Sequence, residues 1–134
     1  MVKLRLTGIL IMSFIATCVF ANKPTVCPST SSIKETGLSN VEQINTVPQY
    51  AAYHISLFNT EETWTFVIFP INADSKEQAL YKGNQLLPTL SGNPSPEGGD
   101  GTWFCDYQLG NYFATAFIDN GSMSRYKIRQ YLNR

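Results

Sequence analysis

Cys27, Cys105, His54 and a set of tyrosines are the side chains of this chain whose types could support chemistry. Of three cysteines, Cys18 is expected to leave with an amino-terminal leader, and the two that remain lie 78 positions apart. An even pair of thiols in an oxidising compartment reads most simply as one disulfide. The rival reading, two free thiols holding a metal or haem, lacks neighbours: there is no CxxC, no CxxCH, and the chain has one histidine. A hydrolase triad would have to take its base from His54, with a serine and a carboxylate from elsewhere, and no Gly-x-Ser-x-Gly elbow is present. Metal-assisted hydrolysis wants clustered histidines and carboxylates, and none appear in sequence. Paired acids for glycoside chemistry could come from Glu61, Glu62, Asp106 and Asp119, but Glu61 and Glu62 sit where a turn is expected. The residues point away from an enzyme.

Whether the two thiols meet oxidising conditions depends on the first 21 residues. Lys3 and Arg5 precede an apolar run from Ile9 to Phe20, and Val19-Phe20-Ala21 offers a small-residue cleavage site before Asn22. That order is a secretory signal peptide. Its apolar core is about a dozen residues, short of the roughly 18 to 20 of a membrane span. Ile15-Ala-Thr-Cys18 also resembles a lipobox, which would acylate Cys18 and tether the domain, although Thr17 suits that motif poorly. The expected mature chain is a single secreted or periplasmic domain over residues 22–134, without a stable membrane span.

Loss of the leader removes two of ten Lys+Arg and none of ten Asp+Glu, leaving 8 − 10 = −2. A nucleic-acid binder would show a strong basic excess. The charge is unevenly placed: residues 22–119 carry four cations and ten anions, and residues 120–134 four cations and no anion. The 113 mature residues suit one small core.

The elements that must position these groups can be read from spacing. Cys27-Pro-Ser-Thr30 opens a short helix with a hydroxyl cap, and Gly37 closes it. Residues 41–47 alternate weakly as a strand and stop at Pro48. Residues 50–58 and 64–69 form a hairpin expected at the centre of the sheet, around a 59–62 turn. Both faces of the second run are apolar, so each needs a cover. Asp74-Ser75 caps the main helix, with Ala79, Leu80, Gly83, Leu86 and Leu87 on its inner stripe. Gly83 implies close approach to the sheet. Ser91–Gly101 reads as a mobile Gly/Pro linker, since it lacks the lysine and setting of a phosphate-binding loop. Strands at 102–109 and 112–118 turn at Gly110-Asn111. The small Ala114 and Ala116 leave room for the crossing helix. Residues 123–132 fit either an edge strand or a helix. The expected fold is α+β: an antiparallel sheet of four to six strands, one main helix on a face, a short amino-terminal helix and one disulfide.

Cys27-Pro-Ser-Thr with Ile33 and Gly37, Ala79 with Lys82-Gly-Asn-Gln-Leu-Leu, and Gly101-Thr-Trp-Phe-Cys-Asp-Tyr107 followed by Ala114-Thr-Ala resemble a family of small exported proteins. These come from Legionella and relatives, are largely of unknown function, and include members named hemin-binding protein (Hbp). The resemblance implies a secreted or periplasmic binding protein engaged with haem, and supplies no catalytic or ligating motif. Ferric haem needs an apolar slot and an axial His, Tyr, Met or Cys. His54, Tyr107, Tyr112 and Tyr126 are the candidate ligands, and Arg125, Lys127 and Arg129 the candidate propionate or anion contacts. The structural alternative is a half-buried histidine, packing tyrosines and a solvated basic tail. The other functional class is an interaction or effector module that binds a host or envelope protein without a cofactor.

Overall fold

The computed structural model describes residue 24 and residues 26–44, 48–99 and 101–119. The leader with Cys18, and the tail with Arg125, Tyr126, Lys127 and Arg129, lie outside the described residues, as does the strand-or-helix question at 123–132.

Helix α1 (Thr30–Thr36) forms where the cap signals predict it. Ser29 Oγ accepts from the Ser32 amide at 3.1 Å, and Gly37, at φ 75°, returns its amide to the Ile33 carbonyl. That left-handed terminus is cheap for glycine alone. The helix has one inward anchor, the fully buried Ile33.

Six strands follow: β1 (Asn40–Ile44), β2 (Gln49–Ser56), β3 (Trp64–Asn72), β4 (Glu97–Gly99), β5 (Thr102–Leu109) and β6 (Tyr112–Asp119). They form one antiparallel sheet in the order β1-β2-β3-β6-β5-β4. The hairpin expected at the centre supplies only half of it. β3 pairs with β6, so the middle of the sheet joins two hairpins distant in sequence. Between β2 and β3 the register slips: Tyr50 faces Ile71 and Ala52 faces Ile68, leaving Ala51 opposite two residues. This bulge keeps Tyr50, Ala52, Phe66, Ile68 and Ile71 in one core cluster, and Ala51, Tyr53 and Val67 in a second.

Helix α2 (Lys76–Leu86) is capped by Ser75, whose Oγ accepts from the Gln78 amide at 3.1 Å. Pro88 sits in the 3-10 turn Leu87–Thr89 that ends it. Gly83 makes the anticipated close approach: a Cβ there would stand 3.0 Å from Ala52 Cβ and 2.9 Å from Leu38 Cδ1. The helix packs over β1, β2 and β3, however, and not over Ala114 and Ala116 as expected. Those alanines pair with Tyr107 and Cys105, so the space they leave accommodates an aromatic ring and a cystine. Cys27 and Cys105 are joined, with Cα atoms 5.9 Å apart.

The Ser91–Gly101 stretch is more ordered than a linker. Ser91 and Gln108 exchange backbone hydrogen bonds at 2.9 and 3.0 Å, and Glu97–Gly99 lies along β5 as an edge strand. A segment without apolar side chains can still satisfy its amides on an open sheet edge. Gly98, at φ 134°, is required there because a Cβ would collide with the Thr102 carbonyl. Among the described residues no helix is long and apolar enough to cross a membrane.

Candidate functional site

The antiparallel register of β1 and β2 builds the polar cluster around the single histidine. Asn40 faces Tyr53, and the Ser39 amide donates to the Tyr53 carbonyl at 3.2 Å. One step further along, Ser39 stands opposite His54, and its Oγ is hydrogen-bonded to His54 Nδ1. Asn40 Nδ2 donates to the same Oγ at 3.0 Å. Phe58 lies edge-on to the imidazole, with ring centroids 6.0 Å apart. The ring is therefore oriented by a hydroxyl on one side and an aromatic on the other.

Ser39 also borders a pocket of about 260 Å³ between β1 and the first turns of α2, lined by Asn40, Val41, Tyr53, Lys76, Glu77 and Leu80. Sites that enclose a drug-sized ligand run to roughly 300–1,000 Å³. This one suits a small polar group and does not fit a porphyrin. The Ser39–His54 pair resembles part of a nucleophile–base arrangement, but such a base is normally held by a third group. Among the described residues no carboxylate is hydrogen-bonded to His54. No group of three or more His, Cys, Asp or Glu among them is placed to hold a metal ion.

The other expected ligands are scattered. Tyr107 is buried in the helix-bearing face; its hydroxyl donates to the Pro28 carbonyl at 2.5 Å, and its ring meets Phe66 edge-on at 5.7 Å. Burial pushes its phenol well above the usual tyrosine range. To ligate iron it would have to leave that bond and ionise against desolvation. β2 and β5 are three strand spacings apart, about 14 Å, so His54 and Tyr107 do not share a site. Tyr112 opens β6 at the far end of the β5–β6 hairpin, partly exposed.

Spacing alone gave no warning of the most exposed aromatic group among the described residues. Phe113 pairs with Phe69 across β3 and β6, and the rings stack with centroids 5.3 Å apart at 23°. Phe113 remains 64% exposed. Toward the other end of the same face Val67 and Phe117 are buried, so the face is shielded at one end and open at Phe113. Alternation in 112–118 places Phe113 and Phe117 on one side, but which strand lies beside them depends on long-range pairing.

A disulfide-stapled six-stranded antiparallel sheet, with two helices on one face and an aromatic patch on the other, defines a small α+β domain. Residues 26–131 match the family model described as Domain of unknown function (DUF4949), and the chain belongs to that family. No curated protein and no solved structure matches it.

Proposed function

We propose that this chain is exported by its leader and acts as a binding module without a cofactor, engaging a host or envelope protein through the Phe69–Phe113 patch. The observation that carries this reading is a large ring left in water beside a stacked partner. Aromatic side chains anchored on a rigid strand lose little conformational freedom on binding and are enriched among the residues that dominate interfaces. The disulfide accords with an oxidising destination.

The test is a photoreactive phenylalanine analogue at position 113 in producing cells, with the same analogue at Tyr81 as control. Tyr81 is equally exposed but lies on α2. A discrete adduct at 113, absent at 81 and lost on Phe69→Asp, supports the reading. No adduct, or the same products at both positions, overturns it.

Haem binding, implied by the resemblance to hemin-binding family members, keeps one observation in its favour, the oriented imidazole of His54. Since the adjacent pocket does not fit a porphyrin and Phe58 is itself buried, the cofactor would have to lie on the surface against the half-buried His54 ring. A saturable Soret shift on titrating the mature chain with hemin, lost in His54→Ala, would replace the cofactor-free reading.

A further inference from the structure

Phe113 offers a partner one ring face and not two. Its neighbour on β3, Phe69, stacks against it at a centroid distance of 5.3 Å. β3 and β5 flank β6 on opposite sides, so the face of Phe113 turned away from Phe69 looks over β5. Directly opposite Phe113 on β5 is Gln108, and Asp106 lies one diagonal step along, facing Thr115. Residues paired across an antiparallel ladder share a face of the sheet, so Gln108, Asp106 and Phe113 project on the same side. Gln108 Oε1 accepts from Ser91 Oγ at 3.4 Å, and Ser91 borders β5 on the edge away from β6. The amide is thus drawn away from the ring, which stays 64% exposed.

The charge beside that ring has one sign. Asp106 is exposed, and the exposed Glu97 of β4 faces Phe104 on the same side of the sheet. Among the described residues the cations are Lys34, Lys76 and Lys82, all on α1 or α2, which pack on the opposite face. No described cation therefore stands beside Asp106. The face of an aromatic ring is the negative end of its quadrupole, so ring and carboxylate favour the same occupant, a cation. The same carboxylates disfavour an anionic lipid surface. Diagonal cross-strand neighbours lie about 7–8 Å apart. A cation bound over a ring sits within about 6 Å of its centroid, and a charged N–H reaches a carboxylate oxygen at about 2.8 Å. The planar guanidinium of arginine can make both contacts at once, whereas the compact ammonium of lysine must choose between them.

We infer that the Phe69–Phe113 patch receives an arginine side chain of the partner protein, its guanidinium stacked on the open face of Phe113 and paired with Asp106. This rests on the reading of the patch as a protein-binding surface and adds the chemistry of what is bound there. Phe113 supplies the contact area, and Asp106 selects for positive charge.

The probe is tri-arginine amide, titrated into the oxidised mature chain while the Phe113 ring and the Asp106 amide are followed by NMR. Saturable shifts centred on those two residues are expected. Asp106→Asn should raise the dissociation constant about threefold, and Phe113→Leu by about the same factor. Tri-lysine amide should bind the parent more weakly than tri-arginine amide. Glu35→Gln, on α1 and exposed, should change nothing. Equal affinity of parent and Asp106→Asn, equal affinity for the two peptides, or shifts spread evenly over the acidic residues overturns the inference. Movement of the same resonances with protein concentration alone would give the surface to a second copy and also overturn it. In producing cells the photoadduct at position 113 should fall in yield when Asp106→Asn is added. An adduct retained at full yield there overturns the arginine assignment and leaves the patch a protein-binding surface, whereas no adduct in the parent removes both.

Discussion

The Tyr107 hydroxyl donates to the Pro28 carbonyl across 79 positions of sequence, one residue from Cys27, whose cystine partner Cys105 lies two residues before Tyr107 on the same face of β5. The amino-terminal segment is thus fastened to β5 by a covalent bond and a buried hydrogen bond side by side. Tyr107→Phe keeps the ring but strands the carbonyl, at a cost of about 1–3 kcal/mol. Urea unfolding of the two proteins measures it; equal midpoints would show that the bond contributes nothing.

The same hydroxyl sets a pH limit. Burial raises the phenol of Tyr107 in the folded state, whereas in the unfolded chain it ionises near 10. Above about pH 10 the unfolded state therefore binds fewer protons than the folded one, and stability falls as pH rises. Below that the contribution is fully present. The difference in stability between the parent and Tyr107→Phe should be constant from pH 7 to 9 and narrow above 10. A difference that widens there would refute the sign.

Reducing the cystine opens a loop of 78 residues, worth about 4 kcal/mol in the chain-entropy account. For a domain of this size that corresponds to a fall in Tm of roughly 15–30 °C. Thermal unfolding with and without reductant, and of the Cys27→Ala/Cys105→Ala chain, checks it. A shift of only a few degrees would mean that the reduced chain is already constrained in its unfolded state.

Gly83→Ala sets two effects against each other. Helix propensity favours alanine by about 1 kcal/mol, while the new methyl meets Ala52 Cβ at 3.0 Å. Overpacking of this kind costs about 1–3 kcal/mol. Leu38 can swing aside, but a β-carbon fixed to a strand cannot, so net destabilisation is expected, and a larger one for Gly83→Leu. Denaturant midpoints that rise for Gly83→Ala would show that the helix slides outward without loss.

Phe113→Ala should separate binding from folding. Its ring is largely in water, so truncation forfeits mainly the stacking on Phe69, below about 1 kcal/mol. Partner engagement through the patch should be abolished while Tm moves by a few degrees at most. A large loss of stability would make Phe113 a packing residue.

Local signals carried most of the fold. Ser29, Gly37 and Ser75 mark helix ends because a cap is a contact between near neighbours, and alternation reveals 50–58, 64–69 and 102–118 because strand geometry is local. The misplacements are all long-range. Nothing in 64–69 says that β6, rather than β2 alone, completes the middle of the sheet. Ala114 and Ala116 announced a gap without saying whether a helix or a cystine would occupy it. Ser91–Gly99 reads as slack because its partners are backbone atoms of β5, which no side-chain pattern records. The site was less legible for the same reason. His54 could be named, but Ser39 reaches it only through the β1–β2 register, and Phe113 finds Phe69 from 44 positions away.

Among the described residues the sheet ends on one side in β4, three residues with two glycines, and on the other in the five-residue β1. A border so short offers almost no ladder to a second molecule. Borders this short, one of them glycine-rich, leave little to template edge-to-edge growth into a fibre.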